Sequence, residues 1–152
     1  MNEEQEMTLT KVFCDVLGKY ALMFGDEVKA AETELKEGGY VYASINFDGG
    51  KKGMMEITAG KDFSAMLNMN ILGDFEGAGA AGDESHDSFK EFLNIMCGEY
   101  LTVVYGKKML FNLDPPEARL ITEAEAEALK GKVRSVYIVE DTPVIVYALT
   151  EG

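Results

Sequence analysis

The stretch from Asp87 to Val104 constrains this chain more than any other, because its apolar residues recur with one period only. At about 100° per residue, Phe89, Leu93, Met96, Cys97, Tyr100 and Val104 cluster on one side of a helix, and that side must be buried. Asp87, Glu91, Asn94 and Gly98 fall opposite. Glu91 and Asn94, one turn apart, project together into water, and Gly98 leaves bare backbone that another surface can approach closely. A carboxylate beside a primary amide suits docking and the positioning of a water molecule.

Size and charge narrow what such a helix can serve. At 152 residues with 47% hydrophobic content, the chain supports one well-buried core, and we read residues 1–152 as a single domain. A formal net charge of −13 leaves no basic stripe of the kind nucleic acids require, and an anionic membrane surface would repel it. Residues 1–6 are acidic and polar where a secretory signal begins basic and then apolar, and no apolar run approaches a membrane span. A cytoplasmic location is therefore expected. Cys14 and Cys97 are the only cysteines and read as small, reduced core side chains. The single His86 has no second ligand at metal spacing.

Around this helix the chain alternates between helical and strand periods. Phe13, Val16, Leu17, Tyr20 and Phe24 predict a first amphipathic helix over 8–24, with Gly25 as its stop. Val41, Ala43, Ile45 and Phe47 alternate as a strand, Asp48-Gly49-Gly50 supplies a turn, and 53–59 returns as a second strand. Phe63, Met66, Leu67 and Ile71 restore the helical period over 61–72, with Gly73 ending it. Met109, Phe111 and Leu113 alternate as a strand that Pro115-Pro116 terminates. Thr122 and Glu125 form a capping box opening a short helix over 122–129. Residues 136–139 and 144–149 are β-branched runs joined by a turn at 140–143. The order predicts an α+β fold, a mainly antiparallel β-sheet with two long amphipathic helices packed on one face.

The Gly- and Ala-rich segment 74–87 reads as a flexible connector. Gly77-Ala78-Gly79-Ala80-Ala81-Gly82 spells a dinucleotide-binding pattern, but a helix rather than a strand precedes it and acids flank it. Phe13-x-Asp15-Val16-Leu17-Gly18 in the first helix echoes Phe89-x-Glu91-Phe92-Leu93-Asn94 in the central one, with glycine in place of the amide. The echo places one functional surface on the chain, at the central helix.

From the first helix to about Pro116 the chain resembles the CheX branch of the CheC/CheX chemotaxis phosphatases. The resemblance is carried in order by Phe47-x-Gly49-x-x-x-Gly53, Ile71-Leu72-Gly73, Asp87-x-x-x-Glu91-x-x-Asn94-x-x-x-Gly98 and Pro115-Pro116. Glu99 and Tyr100 depart from the amide or basic residue that many relatives carry, and the tail beyond Glu117 matches no motif. The resemblance implies a CheC-like fold and hydrolysis of the aspartyl phosphate of a CheY-like response regulator receiver domain. It assigns Asn94 to orienting the attacking water and Glu91 to pairing with a receiver lysine, with Asp87 and Gly98 on the partner-binding surface. Mg2+ would belong to the phosphorylated receiver, this chain binding no cofactor or metal of its own. It also implies a homodimer formed by continuing the sheet across a subunit edge.

Two other readings compete. Ser88-x-x-Glu91 is itself a capping box, which would tie Glu91 to the helix end unless the helix begins earlier, at Ser85 or Asp87. A receiver-binding or flagellar-switch interaction module would keep the surface without the hydrolysis. Asn94 separates these two functions, because binding survives its loss and water orientation does not.

Overall fold

Alternation in the longest strands builds the fold around one sheet with two unequal faces. The computed structural model of the chain describes residues 3–29, 35, 38–72, 86–130 and 135–151. Strand β1 spans Gly25–Val28, β2 Tyr40–Gly49, β3 Lys52–Gly60, β4 Phe111–Leu113, β5 Glu117–Ile121, β6 Ser135–Val139 and β7 Thr142–Glu151. They form a seven-stranded sheet in the order β1-β6-β7-β3-β2-β4, with β5 also on β2, and every pairing is antiparallel.

The β2–β3 hairpin depends on glycine at two positions. Gly49 has φ of +117°, and a Cβ there would stand 2.5 Å from the Leu110 carbonyl oxygen. Gly53, paired with Phe47, lies so close to the Leu149 carbonyl and the Phe47 ring that any side chain would collide with both. β4 and β5 lie end to end along β2, opposite Phe47–Gly49 and Tyr40–Ser44. Pro115-Pro116 interrupts this edge, as their missing N–H groups require. The chain then resumes as β5, which sequence periodicity did not reveal.

Helices α1 (Glu3–Val16), α2 (Lys61–Leu72) and α3 (Asp87–Tyr105) cover one face. The expected pair of long helices is thus joined by a third. Beneath them lie Val41, Ala43, Ile45 and Phe47 of β2, Met55, Ile57 and Ala59 of β3, and Val144, Val146 and Ala148 of β7. A linked set of rings fixes the helices to one another. Phe92 meets Phe13 at 6.0 Å and Phe63 at 6.1 Å edge-on, Phe63 meets Phe89 at 6.3 Å, and Phe13 stacks on Tyr137 of β6 at 4.3 Å. Each such buried ring contributes roughly 1.5–3 kcal/mol. The opposite face carries a smaller cluster, Leu35, Tyr40, Ile121, Ala126, Val136 and Ile145, under helix α4 (Glu123–Lys130). The capping box expected at its start is present: the Glu125 amide donates to Thr122 Oγ1 at 3.1 Å and the Thr122 amide to Glu125 Oε1 at 3.3 Å.

The first helix departs from expectation at both ends. It starts at Glu3, and after Val16 it widens into a π-helical segment, Leu17–Ala21, closed by Leu22 in the left-handed region. The wider turn breaks the 3.6-residue phase, so Tyr20 leaves the apolar stripe and is 44% exposed, while Phe24 lies beyond the helix end and is 84% exposed. Gly25 is the first residue of β1 rather than a helix stop. Gly73 and the Gly/Ala-rich pattern at 77–82 lie outside the described residues.

Candidate functional site on the central helix

Helix α3 runs uninterrupted for 19 residues along a continuous buried side. Ser88, Phe89, Phe92, Leu93, Met96, Cys97, Tyr100 and Leu101 are all buried. The expected face is therefore wider by Ser88, Phe92 and Leu101, while Val104 is only half-buried. Burial pushes the Cys97 thiol up to about 12, and burial, with Tyr105 and Cys97 adding to it, does the same for the Tyr100 hydroxyl. Cys97 is thus a core side chain and not a nucleophile at neutral pH.

The other side of α3 carries the polar strip. Asp87 and Glu91 are exposed, and Asn94 and Gly98 are half-buried. The structure places the four on one helical face, since steps of three, four and seven residues return to nearly the same direction. A Cβ on Gly98 would meet nothing within 4 Å. Packing within the chain therefore does not demand glycine there. The Gly98 carbonyl accepts a bond from Thr102 Oγ1 at 2.9 Å, which continues the strip by one turn. Lys90, one turn before Asn94, lines a cavity of about 400 Å³ between α3 and the β5 edge, with Tyr42, Pro116, Glu117 and Arg119.

The start of the helix decides what Ser88 does. The helix opens at Asp87 after His86, which has φ of 56° and makes no side-chain capping bond. Ser88 sits inside the first turn, and its hydroxyl donates to Asn68 Oδ1 of α2 at 2.6 Å. It does not cap the helix, so the capping-box alternative for Glu91 falls away. In the sequence Asn68 stands out only as an amide next to Leu67 on a largely apolar helix.

Comparison with known proteins gives the family and the fold. The family model for chemotaxis phosphatase CheX matches residues 41–140. The chain belongs to the CheX family. No curated protein matches the sequence. Among solved structures, a CheX from Desulfovibrio desulfuricans is similar at 16% identity over 97% of this chain and 99% of that one, with a TM-score of 0.68. CheX from Vibrio vulnificus is similar at 16% identity over 97% of each chain, with a TM-score of 0.66. A CheX crystallised with CheY, BeF3 and Mg2+, from Borrelia burgdorferi, is similar at 14% identity over 97% of each chain, with a TM-score of 0.62. At these identities the likeness shows the CheC/CheX-like fold.

Within this CheX-family chain, no cluster of three or more His, Cys, Asp or Glu side chains among the described residues is arranged to hold a metal ion. No helix among them is long and apolar enough to cross a membrane.

Proposed function

We propose that this chain hydrolyses the aspartyl phosphate of a CheY-like receiver domain, with the α3 strip as the surface that enters the receiver's phosphorylation site. Asn94 orients the attacking water. Its oxygen bonds to phosphorus as the aspartyl O–P bond breaks, which yields inorganic phosphate and a free receiver carboxylate. Phosphoryl transfer of this kind needs an in-line nucleophile and neutralised charge more than new covalent chemistry, so a docked amide suffices to accelerate it. Glu91 pairs with a receiver lysine and sets the register of the helix, and Asp87 and Gly98 lie against the partner. The Mg2+ ion and the phosphorylated aspartate are the receiver's.

The observation that carries this reading is the α3 strip: an acid and an amide one turn apart, Glu91 exposed and Asn94 half-buried, in a chain matched to a chemotaxis phosphatase family. The CheX of known structure that was crystallised with CheY and Mg2+ supports the choice of partner. The outer edges of β1 and of β4 and β5 carry no partner strand among the described residues, and a second copy pairing along one of them would extend the sheet into a homodimer.

The test is phosphate release from a magnesium-bound, phosphorylated CheY-like receiver of the same organism. Wild type should exceed the spontaneous rate, and Glu91→Ala should raise KM by weakening docking. Binding of cognate receivers without any acceleration would instead make the chain an interaction module.

A further inference from the structure

Apolar packing leaves a helix more freedom about its own axis than a buried hydrogen bond does. The contacts between α3 and its neighbours are mostly aliphatic chains and edge-on rings, and the His86 side chain makes no capping bond to the helix. A helix with its side chains is about 10–12 Å across, so a rotation of roughly 10° moves a side-chain tip by about 1 Å. Displacement on that scale is enough to cost about 100-fold in a positioned reaction.

One contact at the start of α3 is directional. Ser88 Oγ donates to Asn68 Oδ1 at 2.6 Å, with Ser88 1% and Asn68 3% exposed. Both groups are out of water, so breaking this bond strands a buried polar atom, and a single geometry is strongly preferred. Ser88 precedes Glu91 by three residues and neighbours it on the helix surface. Asn68 is carried by α2, which Phe63 locks onto Phe89 and Phe92 of α3. The rings hold the two helices together, and the hydrogen bond adds a directional tie between them.

We infer that Asn68 and Ser88 are positioning residues for the hydrolysis, fixing the rotation of α3 so that Glu91 and Asn94 enter the receiver in register. This rests on the phosphatase reading above. Neither residue touches the receiver.

The experiment measures phosphate release and thermal stability together for wild type, Asn68→Ala, Ser88→Ala, the double variant, and Ile145→Val as a control of modest destabilisation on the other face of the sheet. Single variants should lose roughly tenfold or more in kcat, with KM within about twofold. The double variant leaves no stranded polar atom, so its Tm should recover toward wild type while kcat stays low. Ser88→Thr, which keeps the hydroxyl, should restore kcat. Ser88→Ala removes one atom only and carries the test even where Asn68→Ala does not fold. Unchanged kcat in the folded variants, or kcat that follows Tm as it does in Ile145→Val, would overturn the inference while leaving the phosphatase reading intact. Failure of wild type itself to accelerate release would overturn both.

Discussion

Helices α1 and α3 lie against each other on the same face of the sheet and share a sequence echo, yet they end up as different objects. In α3, Glu91 and Asn94 sit on an uninterrupted 19-residue α-helix. On the other helix, the position matching Asn94 is Gly18, which lies past the end of α1 in the π-helical segment Leu17–Ala21. The widened turn loses the periodicity that would stack two polar groups one turn apart. An amphipathic pattern alone therefore does not make a presenting surface; the helix must also stay in phase beyond its acid.

Removing the ring that joins the two helices should have the largest effect. Phe92 is fully buried and meets both Phe13 and Phe63, so Phe92→Ala should cost about 3–5 kcal/mol in chemical denaturation. A loss under 1 kcal/mol would mean that α1 and α3 are not held through this ring.

Alkaline pH should destabilise the fold next. Cys97 of α3 and Tyr137 beneath α1 are both raised to about 12, chiefly by burial, from ordinary values of 9.0 and 10.0. Above pH 9 the unfolded thiol loses its proton while the folded one keeps it. Stability contributed by keeping these groups neutral is thus whole below pH 9 and is lost as pH rises from about 9 to 12. Tm measured across that range should fall, and Cys97→Ala should make the fall shallower. Cys14 of α1 is half-buried, so a thiol reagent on the native protein should modify Cys14 well before Cys97. Equal rates would mean that α3 opens as readily as α1.

Smaller effects separate the two mid-helix glycines. Open space surrounds both Gly18 and Gly98. Gly98→Ala should stabilise the protein by roughly 0.5–1 kcal/mol and weaken receiver binding, visible as a raised Tm with a raised KM. Gly18→Asn, which puts an amide at the matching position in the π-helical segment after α1, should leave phosphate release unchanged. A rise in activity would show that α1 also enters a receiver.

Long, strongly periodic stretches made the central features of the fold legible in the sequence: α3, α2, the β2–β3 hairpin and the β6–β7 pair. The α4 capping box was legible too, because its chemistry is local. β1 and β5 were not. Gly25–Val28 is short and acidic, and Glu117–Ile121 is a mostly exposed edge strand with one partner, so neither carries a hydrophobic alternation. The π-helical turn was hidden because Tyr20 and Phe24 continue an ideal helical spacing that the backbone abandons. At the site, the spacing of Glu91 and Asn94 could be read directly, whereas the role of Ser88 could not. A serine three residues before a glutamate reads as a cap until the position of Asn68 on a different helix is known.

The most direct test of the account compares chemistry with binding in a single substitution. Asn94→Ala should reduce phosphate release from a phosphorylated CheY-like receiver by about 100-fold or more, roughly 3 kcal/mol, while Kd for that receiver changes little. Loss of binding in proportion to rate, or full activity without the amide, would contradict the assignment of Asn94 to the attacking water.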